Sequence, residues 1–344
     1  MENVPDISIV IPAYNAERFI ANTLESCLQQ SLQNIEIIVV DDCGVDKTRE
    51  IVQQYARSDS RIRILNNSQN LGTLATRIKG IQVALAEGVV FLDADDKLEK
   101  NACERFLEEA RRTGVDIVYG NRITYEPNGQ KITKTFAHLP HGSILEGEQI
   151  FYEVFNPKTW AGIRWTQQTK WFKTSILLQA INFMEEALGK IPHGLSVFED
   201  AFFTACILPF ARKALNIEDI LYFYTYNIES SSKNKSNEQV KKGFQNFFLI
   251  ITYLEQIATQ PLITNNLILN VYYQQFLRKV KYEFYSDQRH LEEIIYLLKP
   301  SSRFISLLPP YLQAMAYCFP YSSKKLRILL RIFFYVVSFG RIQK

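Results

Sequence analysis

Three carboxylates in four residues, Asp93, Asp95 and Asp96, follow directly on an apolar run in VVFLDADDKLEKN, Val89 to Asn101. Like charges this close repel, so the sequence demands something positive beside them. Acids at i and i+2 past a strand can both turn into a crevice. Oxygen-only ligands of that kind suit Mg²⁺ or Mn²⁺, which keep positions for water or phosphate. Solvated loop acids give the same letters, and Asp96 could simply cap a helix starting near Leu98. Other residues could complete a site. Tyr14, in PAYN, offers a flat face for a nucleobase, or is a surface aromatic. Asp42, in VVDDCG, could accept from a base N–H, or form a turn. Arg77, in NLGTLATRIKG, could donate to a base or a phosphate, or lie solvated on its helix. Glu199 and Asp200, in SVFEDAFFTACIL, read by themselves as acids favouring a helix N-terminus through its dipole.

The elements that would position these residues alternate regularly over the first 95 positions. Ile7–Ile11, Ile35–Val40, Ile62–Leu65 and Val89–Leu92 read as strands; Glu17–Gln30, Asp46–Arg57 and Thr73–Ala86 have helical spacing. Strands apolar on both faces, separated by helices, predict a doubly wound, mostly parallel sheet of the α/β class. Ligands bind such sheets at the carboxyl ends of the strands. That rule selects four polar loops, PAYN, DDCG, NNSQN and DADD, and they should converge on one crevice. From Val115 to Phe136 the pattern is strand-like, with PNGQ as a turn. A loop-rich stretch containing Trp160, Trp165 and Trp171 follows, then helical spacing over Ser175–Leu188. Leu221–Tyr226 reads as a strand, and Val240–Leu298 as helical and aromatic-rich.

Composition narrows the class. The 344 residues are 47% hydrophobic and 22% charged, which describes a core-forming globular chain. The five cysteines show no CxxC pair and read as reduced thiols. The N-terminus, MENVPDISIVIP, has no basic stretch, so a cytoplasmic location is expected. Ile294 to Lys344 holds no acidic residue against eight Lys and Arg, although the whole chain is only +3. Within this end, Lys324, Arg327, Arg331 and Ser338 fall on one helical face, and apolar side chains cover the rest. That stretch is too short to span a bilayer and fits a helix lying in the headgroup layer. It could instead pack on the helices of 240–298 or mediate a homodimer. Nucleic acid is disfavoured by the apolar content.

The run SIVIPAYNAERFIANTLESCLQQSL…IEIIVVDDCG…NLGTLATRIKGIQVALAEGVVFLDADD resembles the N-terminal domain of family 2 glycosyltransferases, closely over about the first 125 residues. The resemblance implies a GT-A fold, Rossmann-like, with a helical, partly amphipathic C-terminal region. It implies that Pro12, Ala13, Tyr14, Asn15, Asp41, Asp42 and Arg77 hold the base or phosphates of a UDP-sugar, together with Asp93, Ala94 and Asp95. Asp93 and Asp95 form a D-x-D site for Mn²⁺ or Mg²⁺, with Asp95 the coordinating residue. Asp200 then becomes the general base of an inverting transfer, and Glu199 orients it or touches the acceptor. RWTQQTKWFKTSIL resembles the family's acceptor-side segment but departs from its W-x-K-L-Y pattern. His193 could contact phosphate, or have no role.

Within the family, the DDCG loop, LEKNACE and the aromatic tail look most like bacterial lipooligosaccharide enzymes such as Campylobacter-type β-1,3-galactosyltransferases. The function implied is hexose transfer (galactose, glucose or N-acetylhexosamine) onto an oligosaccharide or lipid-linked glycan of lipooligosaccharide, lipopolysaccharide or capsule. The expected organisation is a catalytic domain over 1–228, split at 125/126 into nucleotide-sugar and acceptor halves. A linker at 229–239 and a helical region at 240–344 would follow. The basic tail at about 321–344 would attach to the cytoplasmic face of the inner membrane. A sugar nucleotidyltransferase would want a glycine-rich basic loop after the first strand, and PAYNAERF has no glycine. A dehydrogenase fails there likewise. A non-catalytic scaffold is opposed by the presence of Asp42, Asp93, Asp95 and Asp200.

Overall fold

A computed structural model describes residues 4–125, 131–134, 139–156, 164–195, 198–225 and 237–286. The N-terminal half alternates β1 (Ile7–Ala13), α1 (Ile20–Leu28), β2 (Ile35–Asp41), α2 (Thr48–Ser58), β3 (Ile62–Asn66), α3 (Thr73–Gln82) and β4 (Gly88–Phe91). β5 (Lys97–Leu98), α4 (Ala102–Thr113), β6 (Ile117–Tyr125), β7 (Lys131–Lys134), β8 (Ile144–Glu146) and α5 (Glu148–Val154) come next. β9 (Lys170–Lys173), α6 (Thr174–Leu188), α7 (Glu199–Ile207) and β10 (Lys213–Tyr224) complete the sheet region. α8 (Asn237–Ala258), α9 (Pro261–Thr264) and α10 (Leu267–Ser286) close the described part.

The strands make one mixed sheet, ordered β3-β2-β1-β4-β9-β6-β10-β5, with β7 beside β6 and β8 beside β10. β1 to β4 are mutually parallel, as are β6 and β10; β9 runs antiparallel between β4 and β6. The continuous apolar runs have the expected cause. Val10, Ile38 and Val40 point into one core with α3, α5, α6 and α7, while Ile9, Ile11, Ile37 and Val39 point into another with α1 and α4. Many of the aromatic side chains fill the first core. Phe155 lies 3.9 Å from Phe276 between ring centroids, and Phe151 5.3 Å from Tyr273, so α10 packs directly on α5.

Several expectations need correction. Asp96 caps no helix, because Lys97–Leu98 is a strand and α4 begins only at Ala102. β9 lies in what reads as a loop-rich stretch, since four residues, KWFK, are too few to reveal an alternation. α3 ends at Gln82 rather than Ala86, and α8 begins at Asn237, inside the stretch read as a linker. The PNGQ turn, Trp160, most of the linker and the basic tail lie outside the described residues.

β9 owes its position to a glycine. A Cβ on Gly88 would stand 1.9 Å from Trp171 Nε1, so only glycine lets the indole cross β4. Gly88→Ala is expected to cost about 1–3 kcal/mol through overpacking, read as a lowered urea midpoint, and Trp171→Leu in the same chain should recover part of the loss. An unchanged midpoint in the single variant would contradict this packing.

Candidate active site

A cleft of about 950 Å³ opens at the carboxyl ends of β1, β2 and β4, and the loop before β9, the start of α7 and the ends of β6 and β10 form its other wall. Of the residues expected in a site, Pro12, Ala13, Tyr14, Asn15, Asp42, Arg77, Asp93, Ala94, Asp95, Glu199 and Asp200 all line it. Asp41 does not. Its carboxylate accepts the Gly44 N–H at 3.3 Å and shapes the turn, and burial raises its pKa. His193 is exposed and away from the cleft wall.

The three acids of DADD have three different surroundings. Asp93 accepts from Arg77 Nη2 at 2.8 Å through one oxygen and from Gln168 Nε2 through the other. Asp96 is completely buried and accepts from the Tyr222 hydroxyl at 2.6 Å and the Thr225 N–H at 2.8 Å. Burial, with Asp93 and Asp95 close by, pushes its pKa well up. The Tyr222 oxygen also accepts the Asp93 N–H at 3.2 Å, and Thr23 Oγ1 donates to the Ala94 carbonyl at 2.8 Å. The loop is therefore held from α1 and β10 together. Asp95 is half-buried and faces the cleft.

The positive counterpart is Arg77. It is 2% exposed, one turn into α3. Nη1 donates to Asp200 Oδ1 at 2.5 Å and to Gln167 Oε1 at 3.0 Å, while Nη2 serves Asp93. Burial opposes its charge, but Asp200 and Asp93 more than offset this and raise its pKa. One guanidinium thus joins the D-x-D loop to the start of α7, and the solvated-helix reading fails. Asp200 is itself raised by burial against the pull of Arg77, and Glu199 is raised by burial and Asp200 to about 7.

Gln167, Gln168 and Lys170 were not legible as site residues. Gln167 is fully buried; its Nε2 donates to the Asp200 carbonyl at 3.0 Å and to Thr204 Oγ1 at 2.8 Å. Lys170 Nζ donates to the Thr166 and Gln168 carbonyls, tying the loop to itself, and burial pulls its pKa down to about 7. The segment departs from the family's acceptor-side letters, and a run of polar residues gives no sign of burial until the tertiary fold is known. The loops after β1 and β2 are interlocked in the same way. Asn15 Oδ1 accepts the Val45 N–H at 2.9 Å, Asp46 Oδ2 the Glu17 N–H at 2.9 Å, and Glu17 Oε2 the Lys47 N–H at 3.0 Å. Asp42 lines the cleft, yet its oxygens already take Asn67 Nδ2 and the Leu71 and Gly72 N–H groups at 2.7–2.9 Å. Tyr14 is half exposed at the mouth.

Four non-glycine residues among those described have left-handed backbone: Asn15, Cys43, Thr169 and Phe198. Each sits in a different loop at or beside the cleft, in PAYN, DDCG, TQQTK and VFED. Such conformations cost on the order of 1–3 kcal/mol each and persist only where surrounding contacts impose them. For Phe198 those contacts are Trp165 and Phe247, 5.8 and 5.0 Å away between centroids.

Removing the Arg77 charge leaves two carboxylates unpaired. Arg77→Met is expected to destabilise the fold by about 3–5 kcal/mol, and adding Asp93→Asn and Asp200→Asn should restore part of it in chemical unfolding. Glu199 carries a second signature. Its folded pKa of about 7 lies above the ordinary 4.5, so its contribution is fully present below 4.5 and is lost as pH rises to 7. Unfolding midpoints at pH 5 and pH 8 should therefore differ less in Glu199→Gln than in the parent chain; an equal difference would contradict the assignment.

Comparison with known proteins agrees with this geometry. The model of the family described as Glycosyl transferase family 2 matches residues 8–181. An uncharacterized glycosyltransferase of Haemophilus influenzae is 30% identical over 245 residues, covering 65% of this chain and 97% of that protein. The Escherichia coli UDP-Glc:alpha-D-GlcNAc-diphosphoundecaprenol beta-1,3-glucosyltransferase WfgD is 35% identical over 115 residues, 33% of this chain and 45% of that protein. Among solved structures, S. aureus TarS 1–349 in complex with UDP-GlcNAc matches with a TM-score of 0.63 at 19% identity, over 97% of this chain and 88% of that one, a likeness of fold. No helix among the described residues is long and apolar enough to cross a membrane. Of the four loops expected at the crevice, NNSQN contributes no lining residue; with the family's model spanning half the sequence, the chain belongs to glycosyltransferase family 2 and has the GT-A fold.

Proposed function

We propose that the protein transfers a hexose (galactose, glucose or an N-acetylhexosamine) from a UDP-sugar to a glycan hydroxyl, with inversion at the anomeric carbon. The observation that carries this reading is the single buried guanidinium joining Asp93 of the D-x-D loop to Asp200, so that a donor-side acid and a candidate base share one cleft. The donor class is supported by the UDP-GlcNAc complex of the TarS fold and by the UDP-Glc in the name of WfgD. The lipid-linked acceptor class is supported by that name as well. Lipooligosaccharide, lipopolysaccharide or capsule assembly at the cytoplasmic face of the inner membrane follows, with the basic stretch at 321–344 supplying attachment or a homodimer contact.

On this reading Tyr14 stacks on the uracil, and Asp42, with three N–H groups already bound, shares an oxygen with a base N–H. Pro12, Ala13 and Asn15 shape the base-side wall, and Asp93 and Ala94 border the ribose. The protein's own carboxylates make an incomplete metal cage: no group of three or more His, Cys, Asp or Glu among the described residues could hold an ion. One or two carboxylates are enough for Mg²⁺ or Mn²⁺ that also binds phosphate, so the donor set fits through Asp95, with Asp93 beside it. Such a cation would neutralise charge on the departing diphosphate. Asp200 takes the proton of the acceptor hydroxyl as its oxygen bonds to the anomeric carbon and the bond to UDP breaks. Arg77 holds Asp200 in place and, before the proton arrives, favours its ionised form. Glu199, with its raised pKa, lies beside the acceptor path.

Two variants separate the roles. Asp95→Ala should lose Mn²⁺-dependent UDP affinity in calorimetry. Asp200→Ala should keep that affinity and lose transfer by at least about a hundredfold, measured as UDP release across a panel of UDP-sugars. UDP bound equally well by Asp95→Ala, or turnover retained by Asp200→Ala, would overturn the corresponding assignment.

A further inference from the structure

The acceptor wall of the cleft carries a cation that the reaction described above does not use. Arg122 lies on β6 in register with Tyr222 of β10, the residue whose hydroxyl holds Asp96 and the Asp93 amide. It is therefore level with the D-x-D loop, two strands further from the nucleobase than β4. Its side chain lines the cleft and stacks on Tyr224, with the guanidinium carbon 5.0 Å from the ring centroid. Its Nε is buried and has no hydrogen-bond partner. The neighbouring acids are committed elsewhere: Asp93 and Asp200 to Arg77, Asp96 to Tyr222 and Thr225. Lys170 also feels Arg122, whose charge adds to the burial that drives its proton off.

A half-buried cation with an unused donor, beside acids of which Asp93, Asp96 and Asp200 are paired with other groups, is costly unless a ligand supplies the anion. The planar fork of arginine suits two oxygens of one phosphate, and Tyr224 holds the fork's plane. From this geometry we infer that Arg122 binds a phosphate group of the substrates at the acceptor end of the cleft. That phosphate is either the β-phosphate of the donor or a phosphate carried by the acceptor. Only the first source rests on the UDP-sugar reading.

Calorimetry on the full chain and on Arg122→Gln tests both sources, with UDP, UMP and inorganic phosphate as probes and thermal melting as a check on folding. If the donor supplies the phosphate, UDP affinity falls about tenfold in the variant while UMP affinity is unchanged. If the acceptor supplies it, UDP affinity is unchanged, and inorganic phosphate binds the UDP-saturated parent but not the variant. Arg122→Lys, which keeps the charge and loses the fork, should recover part of either effect. Equal UDP and equal phosphate binding by parent and Arg122→Gln would overturn the proposal. So would a loss shared by UDP and UMP with a lowered melting temperature, which marks a structural role. Should the parent fail to bind UDP at all, the UDP-sugar reading falls. Inorganic phosphate added to the free protein then decides Arg122 alone, with phosphate bound by the parent and not by the variant supporting it and equal binding overturning it.

Discussion

The architecture of the cleft depends on one guanidinium placed between two carboxylates with almost no access to water. Arg77 cannot release its proton, and burying it alone would be prohibitive. Asp93 and Asp200 remove that difficulty, and in exchange Asp200 is held where desolvation would otherwise favour its neutral form. The pairing spans 123 residues of sequence between Arg77 and Asp200. It therefore forms only when the N-terminal βα units and the later α7 segment are both folded. Replacing the triad by apolar residues could make the chain more stable, because buried ion pairs are weak contributors to stability.

Support for this triad reaches well beyond the sheet. Phe198, the residue before Glu199, is held between Trp165 and Phe247 of α8. Asn246 of the same helix donates to the Gly194 carbonyl at 2.7 Å, Gly194 N–H to the Leu71 carbonyl at 2.6 Å, and Leu71 N–H to Asp42 at 2.8 Å. The aromatic helices after the sheet therefore brace the start of α7 and the entrance to α3 at once. They share a core with α5, α6 and α7.

The sequence was most informative where a physical rule has a short range. The apolar runs of β1, β2 and β4, and the rule that ligands sit at strand ends, were enough to bring PAYN, DDCG and DADD to one crevice. Asp96 shows the limit of local reading: its role depends on Tyr222, 126 residues away, so nothing near it in sequence could separate a cap from a latch. Gln167 and Gln168 were illegible for the same reason. Buried amides look like surface residues until the carboxylates and carbonyls that satisfy them are in place. β9 is too short for its four residues to show an alternation, and the Trp171–Gly88 contact that seats it is announced by neither residue alone.

Asn15, Cys43, Thr169 and Phe198 keep their unfavourable dihedrals without a glycine's freedom. Selection for heat tolerance alone would favour relaxing those four loops, by glycine or by altered spacing, and each relaxation would let a wall of the cleft drift. Lineages adapting to warmth would then face opposed pressures at these positions, and compensating changes should accumulate in the distant helices instead.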